Sequence, residues 1–196
     1  MRPTQLNFDA FLELNKINHR TISQLIGFDK GIYFWFATFE AIQKMGITNV
    51  NNWHQVIYGE KEYYLLFIGI GPRDEKTQRQ FLPQRIINCH LGNKITNSTF
   101  RLSIASVLSK EGFTKQVGKN LKYFLDNNDE IDINEFLENN FCIGLINDQT
   151  PWLKEKSLIH KFQPPLNLQH NAAGWFYKTM NQSRKAFQSK ARSRKI

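Results

Sequence analysis

The chain has 196 residues, of which 41% are apolar, and a formal net charge of +9. This length fits one folded domain with a short appendage, and the apolar fraction is sufficient for a packed core. The sequence has no apolar run long enough to cross a membrane, and its first residues lack the apolar core of a signal peptide. The two cysteines show no paired spacing, which excludes a disulfide framework. We therefore expect a reduced, cytoplasmic protein without a membrane partner.

The positive charge is concentrated at the C-terminus. Seven basic residues and no acidic residue follow Gly174, and they account for seven of the nine net charges. A segment of uniform sign usually contacts the phosphates of nucleic acid or of a membrane surface, whereas a solvated tail would only aid solubility. We interpret residues 173–196 as a basic C-terminal helix or tail that contacts a polyanion.

The first third of the chain predicts helices followed by two strands. Apolar side chains between residues 5 and 28 suggest two short helices that break near Asn18. Residues 31–38 are dense in aromatic and β-branched side chains, which favours a buried strand. Residues 61–70 predict a second buried strand, which ends at the turn Gly69-Ile-Gly-Pro72. We expect the segment between the two strands to be a connection with one short helix after Phe39.

The rest of the chain predicts helices and a third strand. Pro83 is suited to the first turn of a helix, and Ser98 is suited to a helix cap. Residues 117–140 suggest a helix in two pieces with a solvated acidic face. In chain order we expect helices over residues 83–91, 99–108 and 117–140, a strand over 141–146, and helices over 150–162 and from Trp175 onward.

Glu155 is a carboxylate on the predicted apolar face of its helix. At about 100° per residue, it falls between Ile159 and Phe162 in a stripe that also contains Trp152. An unpaired carboxylate on a buried face costs on the order of 3–5 kcal/mol. We therefore expect either an ion pair with a buried arginine or lysine, or a bound cation, and the spacing alone favours neither.

His90 shows the same pattern on the helix predicted over residues 83–91, where it falls between Ile86 and Ile87. A lone histidine in such a position is more often a hydrogen-bonded core residue than a catalyst, but two polar residues on separate core faces favour a shared cleft. Ser98 and Thr99 begin the next helix, so its first amides and Arg101 could bind a phosphate. Ordinary helix capping is the alternative.

Several short motifs occur in an order that is specific when they are taken together. They are Gly31-Ile-Tyr33, Phe67-Ile-Gly69, Gly69-Ile-Gly-Pro72, His90-Leu-Gly92, Asn97-Ser-Thr-Phe-Arg101, Pro151-Trp-Leu-Lys-Glu155 and Pro164-Pro-Leu-Asn167. With these motifs the chain resembles the GIY-YIG nuclease superfamily, and the stretch from Leu65 to Asn167 is most similar to a bacterial branch of it.

The resemblance implies a mixed α/β fold in which a three-stranded antiparallel sheet is flanked by helices. Residues 1–172 would form the nuclease domain with an N-terminal helical extension. The implied activity is endonucleolytic hydrolysis of phosphodiester bonds in nucleic acid, DNA rather than RNA, with a single Mg²⁺ or Mn²⁺. The implied site consists of Glu155 as the metal ligand, Tyr33 to position or deprotonate the attacking water, Arg85 to stabilise charge on the phosphate, His90 to orient or exchange a proton, and Asn167 to brace the site.

Nucleic-acid contacts are expected from the region after the His90 helix and from the C-terminal segment. The candidates are Lys94, Ser98, Thr99, Arg101, Arg184, Lys185, Lys190 and Arg192.

Two positions depart from the family pattern. Phe67 stands where the second motif has tyrosine, so one alternative is a catalytically weakened nucleic-acid-binding module of the same fold. Another is an interaction protein in which Glu155 and His90 pair with core cations. Arg85 and His90 are five residues apart, about 140° around a regular α-helix. Either the helix is irregular there or Arg85 is a surface residue.

Overall fold

The computed structural model describes residues 13–16, 29–48, 53–76, 81–92 and 94–193. Its strands are β1 (Glu13–Lys16), β2 (Gly31–Ala37), β3 (Gln55–Tyr58), β4 (Lys61–Gly71), β5 (Phe113–Val117), β6 (Asn120–Phe124), β7 (Phe141–Asn147) and β8 (Arg192–Ser193). Its α-helices are α1 (Phe39–Lys44), α2 (Leu82–Gln84), α3 (Thr99–Val107), α4 (Asn127–Asn140), α5 (Glu155–Phe162) and α6 (Tyr177–Lys190). A π-helix (Arg85–His90) continues α2, and two 3₁₀ turns are formed by Ile95–Asn97 and Pro151–Leu153.

The main sheet has five strands in the order β1-β7-β2-β4-β3, and all neighbouring pairs are antiparallel. Its three central strands are the three predicted from the sequence, so the mixed α/β fold class is confirmed. The predicted count of three strands was too low, because β1 and β3 add a strand at each edge. The helical prediction is wrong at residues 13–16, which pair with β7 as a strand. The remaining residues of that prediction, 5–12 and 17–28, lie outside the described residues.

A second, three-stranded sheet has the order β6-β5-β8. The helix predicted over residues 117–140 is therefore wrong at its start, because β5 and β6 form an antiparallel hairpin and α4 begins only at Asn127. Gly118 makes the hairpin turn with a positive φ of 59°, a conformation that side chains other than glycine rarely adopt. The rings of Phe113 and Phe124 stack across the hairpin with their centroids 5.6 Å apart.

The main sheet buries side chains on both faces, as the alternation along β2 shows. Tyr33 and Trp35 belong to one core cluster, together with residues of α3, α4, α6 and the π-helix. Phe34 and Phe36 belong to the opposite cluster, against which α5 packs Ile159. This arrangement places Tyr33 on the face covered by the His90 helix. None of the described helices is long and apolar enough to span a membrane.

Candidate active site

Tyr33 and His90 form a buried hydrogen-bonded pair on the face of the sheet that the π-helix covers. The Oη atom of Tyr33 lies 2.6 Å from Nε2 of His90, and both residues are fully buried. Gly69 lies opposite Tyr33 on β4, and a Cβ atom there would come within 2.3 Å of the Tyr33 hydroxyl. Glycine at this position is therefore what allows the tyrosine ring to lie across the neighbouring strand.

Both ring nitrogens of His90 are hydrogen-bonded, Nδ1 to Ser98 and Nε2 to Tyr33. Ser98 caps α3, where its Oγ accepts the amide N–H of Arg101 at 3.0 Å and lies 2.7 Å from Nδ1 of His90. Burial, and then the charges of nearby arginines, lower the pKa of His90 well below its usual value, so the ring is neutral with one donor and one acceptor.

The Oη atom of Tyr33 is therefore held by Nε2 of His90 on one side, and the Arg85 side chain also lies within hydrogen-bonding reach of it. Burial raises the pKa of Tyr33 to about 12, although the Arg85 guanidinium opposes the increase. Tyr33 is therefore an intact phenol at neutral pH.

The π-helix brings Arg85 to the same side as His90. Its backbone hydrogen bonds join residues five apart, as in the 2.9 Å bond from Leu91 N–H to the Ile86 carbonyl. Residues at a spacing of five consequently lie close to one face. Of the two alternatives left open by the sequence, the irregular helix is correct, and Arg85 is buried with 7% of its surface exposed. Its Nε–H has no hydrogen-bond partner in the part of the chain that the structure describes.

A cleft of about 300 Å³ collects side chains from both faces of the sheet. Tyr33 enters it from β2, Arg85 from the π-helix and Glu155 from α5. Asn167 reaches it from the segment after α5. His90 does not line the cleft, but it contacts two residues that do, Tyr33 and Phe67.

Glu155 is the first residue of α5, because the predicted helix over 150–162 is divided into a 3₁₀ turn and an α-helix. Burial raises the pKa of its carboxyl group, and His170, Arg73 and Arg85 partly offset this effect. Within the described ranges, Glu155 makes no salt bridge. The structure therefore gives no support to the ion-pair alternative and leaves a carboxylate that faces the cleft.

Asn167 fixes the segment after α5 to β4. Its Nδ2 donates to the carbonyl of Ile68, and its Oδ1 accepts the amide N–H of the same residue, both at 2.9 Å. Asn171 strengthens this arrangement by donating from Nδ2 to the carbonyls of Pro164 and Asn167. The side chain of Asn167 thus bonds like one residue of an added strand and holds one wall of the cleft in place.

The residues predicted to contact nucleic acid divide into three groups: those that line the cleft, those that are exposed, and those that are buried. Thr99 and Arg184 line the cleft itself, where Arg184 donates to the Thr99 carbonyl and, at 2.6 Å, to Ser103 Oγ. Burial lowers the pKa of Arg184 to about 10. Four others lie on the exposed surface: Lys94, Lys185, Lys190 and Arg192.

Arg101 and Ser98 are buried, so the prediction that they contact a phosphate is wrong. Arg101 is completely inaccessible and forms a 2.6 Å salt bridge with Glu130 of α4. Glu130 is itself only 5% exposed. The prediction of a solvated acidic face is therefore wrong at this residue. Ser98 is occupied by the α3 cap and by His90. The capping alternative is therefore the correct interpretation of Ser98.

Two cleft residues were missed by the sequence analysis. Arg73 follows the turn that ends β4, and His170 follows Asn167 by three residues; both line the cleft beside Glu155. Basic residues in surface segments are common, so neither residue is conspicuous in the sequence. The available signal was that each lies within three residues of the end of a motif, Gly69-Ile-Gly-Pro72 or Pro164-Pro-Leu-Asn167.

A small antiparallel sheet covered by helices, with a tyrosine, an arginine and a carboxylate around one cleft, is the arrangement expected of a nuclease domain. A family model described as the GIY-YIG catalytic domain matches residues 31–186, and the chain belongs to this family. No curated protein and no solved structure matches the chain. Membership in the family supports a nuclease-type function with nucleic acid as the substrate.

Proposed function

We propose that this protein is a cytoplasmic endonuclease that hydrolyses phosphodiester bonds in nucleic acid, DNA rather than RNA, with one Mg²⁺ or Mn²⁺. The observation that carries the proposal is the convergence of Tyr33, Arg85 and Glu155 on one cleft from three separate elements. Glu130 shows what a structural carboxylate looks like in this fold, because it is paired with Arg101. Glu155 makes no such pair within the described ranges, as expected of a carboxylate kept for function.

The residues of the cleft fit a single hard cation that is completed by water and substrate. Glu155 supplies a carboxylate oxygen, and Mg²⁺ is commonly held by one or two carboxylates together with waters and phosphate oxygens. The described residues contain no group of three or more histidine, cysteine or acidic side chains that could enclose a metal. When bound, the cation would supply positive charge beside the scissile phosphate.

The remaining chemistry rests on side chains that the fold holds in place. Tyr33 lines the cleft and its hydroxyl is fixed by His90, which suits Tyr33 to positioning the attacking water. Arg85 lines the cleft, where its guanidinium charge can stabilise the negative charge that develops on the phosphate. Arg73 and His170 add positive or polar groups at the cleft, beyond the residues that the family resemblance implies.

The surface outside the cleft supports binding to a polyanion. Lys185 and Lys190 lie exposed on α6, the helix that also carries Arg184 into the cleft. A strand bound in the cleft could thus extend along α6, where its phosphates would meet these lysines.

Relaxation of supercoiled plasmid tests the proposal. We expect the parent protein to nick DNA with Mg²⁺ or Mn²⁺ and not with EDTA. Tyr33→Phe removes the hydroxyl from the cleft and should lower the rate by at least an order of magnitude. Tyr63→Phe is the matched control, because Tyr63 is also buried but lies in the opposite core cluster. Absence of nicking by the parent with either metal, on DNA and on RNA, would refute the proposal.

One observation favours the weakened binding module as a second candidate. Phe67 lines the cleft, and its ring centroid lies 6.4 Å from that of Tyr33 and 6.0 Å from that of His90. A tyrosine at this position, as in the second family motif, would add a hydroxyl to the cleft wall. Salt-dependent binding of nucleic acid without cleavage would favour this candidate.

A further inference from the structure

A second pocket, of about 230 Å³, lies at the other end of α5 and is lined mainly by rings. Its lining residues are Trp53, His54, Leu65, Lys161, Phe162, Gln163, Pro165 and Trp175. None of the described residues that form this lining is acidic. A pocket that combines aromatic faces with a lysine has the composition of a site for a flat ring attached to a phosphate.

The two tryptophans present an open aromatic surface. Their ring centroids are 5.2 Å apart with 43° between the ring planes, and Tyr64 and Phe176 flank the pair. Trp175 is 41% exposed, whereas such a large ring is usually covered. Lys161 places its Nζ 5.0 Å from the centroid of the Phe162 ring, at the same pocket.

The pocket is connected to the catalytic cleft by shared structural elements. Glu155 and Phe162 are seven residues apart on α5, which corresponds to about 10 Å of helix rise. The loop that carries Trp175 is held by Asn171, whose side chain bonds to the backbone of Pro164 and Asn167.

We infer that this aromatic pocket binds an unstacked nucleobase of the same nucleic acid that is cut in the cleft. The inference rests on the proposed function and deepens it, because it assigns a substrate class: nucleic acid with unpaired bases close to the cleaved bond. Stacking on an aromatic ring tolerates every base, since each base has a π-face, and Lys161 can meet the adjoining phosphate.

Charge distinguishes this pocket from a second exposed aromatic patch nearby. Phe39 is also 41% exposed, and it contacts Tyr64, whose hydroxyl donates to Glu62. The shallow pocket at this patch is lined by Glu40 and Glu62 beside a single lysine. Two carboxylates repel a phosphate backbone, so Phe39 provides a control of equal exposure and opposite electrostatics.

The test compares two labelled DNA duplexes by fluorescence anisotropy in EDTA, where no cleavage occurs. One duplex carries a short single-stranded overhang with normal bases, and the other carries the same overhang with abasic residues. We expect the parent to bind the first duplex about tenfold more tightly. Trp175→Ala should abolish this difference, Trp175→Phe should retain most of it, and Phe39→Ala should leave it unchanged. Trp175→Phe keeps an aromatic ring in these contacts, so it should melt close to the parent temperature and shows that a lost difference in Trp175→Ala comes from the missing ring.

Equal affinity of the parent for the two duplexes would overturn the inference, and would leave a protein or peptide as the class of ligand to consider. Retention of the difference by Trp175→Ala would overturn it as well. Failure of the proposed function is recognised separately: a parent that nicks neither DNA nor RNA with any metal refutes the nuclease proposal, whereas the base-dependent affinity is still measured in EDTA.

Discussion

Glu155→Gln separates the metal site from a structural ion pair, because the two roles predict opposite effects on stability. The substitution preserves size and hydrogen-bonding capacity and removes the charge. Burial raises the pKa of the Glu155 carboxyl above its usual value, so folding favours the protonated form. The stability that this carboxyl group contributes is fully present below its usual pKa. It is lost as the pH rises through the raised pKa of the folded state. At neutral pH the charge is therefore a cost of folding, and glutamine should stabilise the protein.

The size of the effect follows from the environment of the carboxylate. Removal of a carboxylate held for function typically gains about 0.5–2 kcal/mol. At about 2–4 °C per kcal/mol for a domain of this size, the melting temperature should rise by about 1–8 °C. Because Glu155 is only partly buried, we expect the lower half of this range. Loss of a buried ion-pair partner would instead cost about 3–5 kcal/mol and lower the melting temperature by about 6–20 °C.

Both quantities can be measured on one preparation. Thermal melting in EDTA gives the stability, and plasmid nicking with Mn²⁺ gives the activity, which should fall by orders of magnitude. Glu130→Gln is the matched control: it removes the carboxylate charge that pairs with buried Arg101, and it should melt lower. As the pH falls, the stability difference between Glu155→Gln and the parent should shrink. A Glu155→Gln protein that melts far lower and still nicks at the parent rate would refute the reasoning.

Three further predictions concern the cleft and the α6 surface. Phe67→Tyr should change the nicking rate by no more than a few-fold if the missing hydroxyl is immaterial; a large gain would show that the parent is catalytically weakened. Lys185→Ala and Lys190→Ala should each reduce the slope of log K against log salt by about 0.9 on duplex DNA, and an unchanged slope would exclude phosphate contact. Substitution is preferable to truncation because α6 buries Met180 and Phe187 in the core. If Tyr33 deprotonates the water, the nicking rate should rise with pH towards its pKa of about 12, and a flat profile between pH 7 and about 9 would assign Tyr33 to positioning alone.

The central strands were predictable because their side chains are buried on both faces. The run Gly31–Ala37 is buried at every position, and such a continuous apolar run leaves little choice of structure. The edge strand Gln55–Tyr58 is short and mostly exposed, so its sequence gives no comparable signal. At the β5–β6 hairpin, the turn around Gly118 was the informative feature, and the acidic residues that follow it drew the helix prediction too far forward.

Most residues of the candidate site were singled out from the sequence, whereas their contacts with one another were not. The five-residue spacing of Arg85 and His90 left two alternatives, an irregular helix or a surface arginine, and the π-helix decides for the first. The pairing of Arg101 with Glu130 joins residues 29 positions apart, and sequence spacing cannot show which acid meets which base. Likewise, the position of His90 behind Tyr33 depends on how β2 and the π-helix pack.

The most direct test of the account is an anomalous-diffraction map from crystals of the protein grown with Mn²⁺ and an uncleaved nucleic acid. The account predicts a single Mn²⁺ peak at the Glu155 carboxylate, with a phosphate oxygen in its coordination shell and Tyr33 and Arg85 beside that phosphate. A peak elsewhere, or a phosphate bound on α6 with the cleft left empty of substrate, would contradict it.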